Sequence, residues 1–405
     1  MKNLFYYCFL ILLASACNSR QDEYVIRGGF PGLLDGMSVQ LENAESRGDD
    51  NVLATDTVRN GRFELRGSVA SPVMCHLRIS DRHLVKDKRE SRTRGTRLFL
   101  DNSAIEIKTP CFDSLYYISE YSVSPRELQT EIAGGDLQAD YNAYRQAVHD
   151  AESDYLEHNG ALSVLNFDRG LNPDKYTPEE YARLFAGHYG KKRTAAARMR
   201  EQQLEFVRRH RQSPLSLYVA EQMANRSFHV TADELAELVE LTTGVKDTVR
   251  MPRFQKLADQ ARTYCRNVPF SDVMLYTPAF ERDSLSAHIR KGCVTLIDCW
   301  ASWCGPCRDA IPDVKKLYNH YGRDRFDVVS ISLDSKKEDW QKALKEEKMP
   351  WAQFIAGKEG YKQLVGNYHF QSIPNLILID GEGRVVFSSY SPEEVKIELE
   401  KIIGD

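Results

Sequence analysis

The stretch Trp303-Cys304-Gly305-Pro306-Cys307 constrains this chain more than any other. Two cysteines straddle Gly-Pro directly after an apolar run at residues 294–300, and residues 308–321 have helical periodicity. The run reads as a buried strand, so Cys304 is expected where that strand gives way to the N-terminus of a helix. Helix N-termini carry unpaired N–H groups and partial positive charge, both of which favour a thiolate. In CxxC settings of this kind the thiol pKa falls to about 7 or lower, against roughly 8.5 for free cysteine. A reactive, reversible dithiol is the chemistry such an arrangement favours.

The chain is 405 residues long, which suits two or three domains, and its 42% apolar content supports packed cores rather than disorder. A formal charge of −4 singles out no charged partner. Basic clusters at 86–97 and 191–211 read as a solvated loop and a solvated helix face, so no nucleic-acid partner is expected. At the N-terminus, Lys2 precedes an apolar run at 4–13 and then Ala14-Ser15-Ala16-Cys17. The run is too short to span a bilayer and fits a secretory signal with small residues before its cleavage point. The plainer reading is an ordinary signal with an incidental cysteine. A cysteine in this position resembles the lipobox of bacterial lipoproteins, although Ala14 stands where Leu is commoner. That resemblance makes residues 1–17 a signal peptide and lipobox, with Cys17 the acylated first mature residue and a membrane anchor. Asn18 replaces the Asp that, by the same resemblance, signals inner-membrane retention. The expected location is the cell envelope, on the periplasmic side or at the outer membrane. Of nine cysteines, Cys8 goes with the signal and Cys17 with lipid, which leaves an odd number in an oxidising compartment. A disulfide-dense scaffold is excluded.

Three blocks follow the leader. Residues 22–118 show period-two alternation, as at 38–41, 61–65, 73–79 and 105–107, and predict an antiparallel β domain. A hydrophilic insert at 81–96 reads as a long exposed loop. Cys75 and Cys111 both fall in this block. Residues 125–266 switch to helical period and predict an α-helical connector. Thr177-Pro178-Glu179-Glu180 and Thr231-Ala232-Asp233-Glu234 have capping-box spelling, and Ser213-Pro214 opens a further helix. Residues 267–405 alternate strand candidates (294–299, 326–333, 375–380, 384–388) with helix candidates (308–321, 336–347, 359–368, 392–403). A parallel βαβ core closed by a hairpin and a helix is α/β.

Residues 297–307, Ile-Asp-Cys-Trp-Ala-Ser-Trp-Cys-Gly-Pro-Cys, with the later Ser372-Ile373-Pro374, resemble the thioredoxin superfamily. The spelling is most similar to exported thiol-disulfide oxidoreductases of the TlpA/ResA type. The preceding blocks resemble an uncharacterised region found ahead of thioredoxin domains in some Gram-negative lipoproteins. The resemblance implies a thioredoxin-like C-terminal domain in which Cys304 attacks and Cys307 resolves. Cys307 lies one turn on, where an i, i+3 pair can meet disulfide geometry. Metal binding is the other use of a CxxC, but structural zinc usually needs four ligands and there is no second CxxC. No cofactor is expected.

Asp298 sits on the apolar strand among Leu296, Ile297 and Trp300, so burial should raise its pKa. The resemblance gives it proton exchange with Cys307; a carboxylate facing water at a strand end is the alternative. Trp303, Gly305, Pro306, Ile373 and Pro374 are the expected substrate-binding surface, with Pro374 at the place of the family's cis-proline. Backbone groups of Ile373 would then pair with an extended substrate segment. ResA-like proteins commonly carry Glu where this chain has Ala310, so that group's role does not carry over, and Asp309 falls on a different helix face. Cys299 alternates away from Asp298, toward core packing.

These readings converge on a membrane-anchored protein thiol-disulfide oxidoreductase outside the cytoplasm. Its expected partners are protein disulfide substrates and a thiol protein that donates electrons. Gly-Pro between the cysteines favours reduction, since thioredoxin sits near about −270 mV and the oxidant DsbA near about −120 mV. One rival is a peroxiredoxin-like peroxidase, against which Ala301 stands where peroxiredoxins typically have Thr. Another is a lipoprotein binding module in which the dithiol is secondary.

Overall fold

The computed structural model describes residues 22–46, 51–116, 125–225, 230–370 and 372–404. The signal segment and Cys17 lie outside the described residues. Eight strands build the first domain: β1 (Tyr24–Gly29), β2 (Ser38–Asn43), β3 (Val52–Thr57), β4 (Arg62–Gly67), β5 (Val73–Ser80), β6 (Thr93–Leu100), β7 (Ala104–Lys108) and β8 (Glu131–Ala133). They form two four-stranded sheets, β4-β1-β7-β8 and β3-β2-β5-β6. Alternation places Ile26, Val39, Leu41, Leu77, Ile79, Leu98, Ile105 and Ile107 in a shared core. All pairings are antiparallel except β1 with β7. Gly28 has a packing reason: a Cβ there would stand 2.3 Å from the Phe63 ring opposite. Cys75 and Cys111 are both free thiols in this structure.

The segment 81–96 is not one long loop. Residues from Thr93 onward are β6, paired antiparallel with β5 from Ser80 to Val73. Polar side chains on β6 conceal the strand, since Thr93 and Arg97 find protein partners and Thr96 is buried. Thr93 Oγ1 and Ser80 Oγ are 2.9 Å apart, and Arg97 reaches Glu152 at 4.0 Å. Asp81 is buried and accepts from the Arg92 backbone N–H at 2.6 Å and from Arg92 Nε at 3.0 Å.

The helical block begins with a long hairpin, α1 (Asp136–Leu171) and α2 (Pro178–Arg209), followed by α3 (Pro214–Ala224), α4 (Ala232–Thr242) and α5 (Arg250–Ala261). Both capping boxes form. Glu180 N–H donates to Thr177 Oγ1 at 3.2 Å while Thr177 N–H donates to Glu180 Oε2 at 3.0 Å. Thr231 and Glu234 repeat the exchange at 3.2 and 2.8 Å. Arg250, 3% exposed, ties this block to the β domain. Its guanidinium donates to Glu45 Oε1 at 2.7 Å and to Glu221 Oε2 at 2.6 Å, and it lies over the rings of Phe99 and Tyr218.

The final domain contains β9 (Val268–Pro269), β10 (Met274–Tyr276), β11 (Arg282–Ser284), β12 (Val294–Trp300), α6 (Gly305–His320), β13 (Phe326–Ser332), α7 (Lys337–Glu347), β14 (Ala352–Ile355), α8 (Gly357–Tyr368), β15 (Asn375–Ile379), β16 (Arg384–Ser389) and α9 (Pro392–Ile403). One sheet runs β11-β10-β14-β13-β12-β15-β16-β9. Strands β12, β13 and β14 are parallel, and β15 returns antiparallel to β12. Gly383, at φ +80°, allows the tight link from β15 to β16. Every residue of β12 is buried, as a central strand covered on both faces requires. On one face Leu296, Val328, Leu376 and Leu378 lie under Val314 and Leu317 of α6 and Val395 and Leu399 of α9. The other face, with Ile297, Cys299, Val329 and Ile331, joins a core that continues into α4 and α5. The hairpin also reaches α9: Lys192 Nζ is 2.7 Å from Glu394 Oε1, and Tyr189 OH donates to Glu398 at 3.0 Å.

Removing Arg250 would take the buried member from a cluster in which Glu45 and Glu221 keep only the half-exposed Arg253, 2.8 Å from each, as a cationic partner. Arg250→Ala is expected to lose about 3 kcal/mol in urea unfolding. The control Arg209→Ala removes only the 2.7 Å pair with Glu205 on an arginine that is 72% exposed, and should change stability by less than about 0.5 kcal/mol.

Candidate active site

The dithiol stands at the carboxyl end of β12, where the buried strand runs out. Residues 301–304 turn the chain into α6, and Asp334 holds that turn. Ser302 N–H donates to Asp334 Oδ2 at 2.9 Å and Ser302 Oγ donates to Oδ1 at 2.6 Å. Ser332 Oγ donates to Asp334 Oδ2 at 2.7 Å, so β13 anchors the carboxylate. Asp334 is a functional residue that local sequence pattern does not single out. An Asp directly after a buried strand was the available signal, but its partner lies thirty-two residues earlier.

Cys304 is the N-cap of α6, as the strand-to-helix reading expects. The Cys307 backbone N–H donates to Cys304 Sγ at 3.2 Å. That bond puts a fixed dipole on the sulfur, at the end of the helix where positive partial charge gathers. The two cysteines form a disulfide with Cα atoms 5.3 Å apart, so this is the oxidised protein. Both are buried, whereas Trp303 beside them is 70% exposed and Gly305 and Pro306 are open to solvent. Cys304 Sγ also lies 3.7 Å from the carbonyl oxygen of Ile373. The Ile373–Pro374 peptide is cis, with Pro374 buried and Ile373 half-buried. Residues from two separate parts of the sequence, 304–307 and 373–374, thus meet around one sulfur.

Asp298 is buried at 4% exposure, and its position under α6 follows from alternation. Leu296, on the same face, packs beneath Val314 and Leu317, and Trp300 packs with Cys307 and Ile311. Asp298 therefore lies between them, below the first turns of the active-site helix. Burial raises its pKa from the ordinary carboxyl value to about 6, opposed by a 2.7 Å hydrogen bond from Ser330 Oγ to Oδ2. Ser330 Oγ in turn accepts from Trp351 Nε1 at 2.8 Å. Cys299 points into the opposite core. Ala310 is buried and Asp309 exposed on α6. Among the described residues no group of three or more His, Cys, Asp or Glu side chains gathers as a metal site, and no helix is long and apolar enough to cross a membrane.

Comparison with known proteins agrees with this geometry. A thioredoxin-like family model matches residues 292–385, and a domain of unknown function (DUF4369) matches residues 24–141. The thioredoxin of Bacillus subtilis is 30% identical over 117 residues, covering 29% of this chain and 86% of that protein. The thiol-disulfide oxidoreductase ResA of Bacillus cereus is 26% identical over 110 residues, 27% of this chain and 61% of ResA, so the chain spans about three fifths of that relative. The crystal structure of the thioredoxin domain of a Bacteroides vulgatus thiol-disulfide oxidoreductase is 27% identical, with 35% of this chain and 99% of that one covered and a TM-score of 0.33. The chain belongs to the thioredoxin superfamily, with its thioredoxin-like domain at the C-terminus, and the homologues of that domain include thiol-disulfide oxidoreductases of the ResA type.

The raised pKa of Asp298 has a sign that can be tested. Its protonated form suits the fold, so no penalty exists below about pH 4, the unfolded pKa, and the penalty grows as pH rises through about 6. Asp298→Asn should therefore gain about 3 kcal/mol over the native protein between about pH 4 and about pH 8. Urea unfolding at the two pH values reads this directly. A constant difference would remove the burial argument.

Proposed function

We propose that the protein is an extracytoplasmic, membrane-anchored thiol-disulfide oxidoreductase that reduces disulfides of partner proteins through Cys304 and Cys307. The observation that carries this reading is the Cys307 N–H aimed at Cys304 Sγ, with the Ile373 carbonyl and the exposed Trp303 beside it. In the reduced protein that N–H favours the Cys304 thiolate. The thiolate attacks one sulfur of the partner's disulfide; a mixed disulfide forms and the other partner sulfur leaves with the electron pair. Cys307 then loses its proton to Asp298, attacks Cys304 Sγ and expels the second partner sulfur as a thiolate. The partner has gained two electrons and the protein holds the Cys304–Cys307 bond. A donor thiol protein must reopen that bond for the next cycle.

Trp303, Gly305, Pro306, Ile373 and Pro374 line the approach to the sulfur. An extended partner segment would pair with the Ile373 backbone by strand addition while Trp303 covers its apolar side. Anchoring and location rest on the leader reading, in which Cys17 carries lipid and holds the dithiol in the envelope.

Reduction of insulin disulfides by the reduced protein tests the assignment. Cys304→Ser should fall to the uncatalysed background. Cys307→Ser should also stop turnover but accumulate partner-linked protein that dithiothreitol releases. Turnover retained by Cys304→Ser would refute the proposal.

A further inference from the structure

Ser330 and Trp351 are not accounted for by the thiol chemistry, yet they form a buried hydrogen-bond chain that ends on Asp298. Ser330 is fully buried on β13, opposite Asp298 in the parallel register. Trp351, between α7 and β14, is 5% exposed and packs its ring against Tyr318 of α6, with centroids 5.1 Å apart. An indole N–H can only donate, and a serine hydroxyl has one proton. Since Trp351 Nε1 donates to Ser330 Oγ at 2.8 Å, the serine proton is left for Asp298 Oδ2, 2.7 Å away. No other hydrogen bond to the Asp298 carboxyl is found among the described residues.

We infer that Trp351 and Ser330 are positioning residues for Asp298: the indole locks the serine as a donor to Oδ2, so the proton exchanged with Cys307 travels on Oδ1. The inference rests on the oxidoreductase reading for its Cys307 step. In that step the Cys307 S–H proton moves to Oδ1 and the sulfur forms the bond to Cys304 Sγ. The partner thiolate departs with the electron pair of the broken S–S bond and takes the proton back. Ring packing alone would be served equally by phenylalanine at 351. Asp298 stands in register beside Ser330 of β13 and Leu376 of β15, and its same-face strand neighbours Leu296 and Trp300 pack with Val314, Cys307 and Ile311 of α6. Burial and the Ser330 hydrogen bond alone set its pKa, with no charged side chain contributing. A donor lost from Oδ2 therefore has no nearby charge to replace it.

The test is carboxyl NMR titration of the full chain labelled with 13C-aspartate, alongside pH–rate profiles for resolution of a mixed disulfide. Ser330→Ala should raise the Asp298 midpoint by about one pH unit. Trp351→Phe, which keeps the ring volume, should raise it by about half as much, and the rate profiles should move with both. In an Asp298→Asn background neither substitution should shift the profile. Unchanged Asp298 midpoints in both variants would overturn the inference, as would equal profile shifts in the Asp298→Asn background. The titration needs no substrate, so a protein inactive on disulfides would refute the function while the relay is still read.

Discussion

One hydrogen bond, from the Cys307 N–H to Cys304 Sγ at 3.2 Å, is the contact on which the proposed chemistry depends. It exists because β12, buried on both faces, delivers its last residue to a turn that can only continue as a helix. Asp334 holds that turn at Ser302 with two bonds, so the sulfur meets the first turn of α6 in a fixed position. A sulfur anion placed there needs no reorganisation to be stabilised, which is the general advantage of preset dipoles.

The layer beneath the dithiol is arranged by β13. Ser330 and Ser332 fall on the same face by alternation, and each hydroxyl serves a different carboxylate. Ser332 fixes Asp334 and thereby the loop that presents Cys304. Ser330 reaches Asp298, whose proton affinity burial raises to about 6. A carboxyl near that value can both accept and return a proton close to neutrality, whereas an ordinary aspartate remains ionised. Two serines in the middle of an apolar strand thus each hold one carboxylate, the first under the proposed proton exchange and the second at the loop.

Much of this was legible in the chain itself. The strand run, Gly-Pro between the cysteines and the capping boxes at Thr177 and Thr231 are local signals, each decided within a few residues. Asp298 was legible because its neighbours on the strand were all apolar. Asp334, Ser330 and Trp351 were not, since each acquires its meaning from a partner twenty or more residues away. Residues 93–96 were misread for a related reason: Arg94, Gly95 and Thr96 give no alternating apolar pattern, and only pairing with β5 shows the strand. Strands β10, β11 and β14 are three or four residues long, too short for any period to register.

The connector makes one body of these parts. Arg250 binds it to the β domain, and α4 and α5 share a core with the face of the sheet opposite the dithiol. The site is therefore framed from both sides of β12. The most direct measurement is the ionisation of the two thiols in the reduced protein, followed by pH-dependent alkylation of each cysteine. Cys304 should ionise at least about one pH unit below the roughly 8.5 of free cysteine, with Cys307 above it. Two thiols that ionise together near about 8.5 would contradict the account.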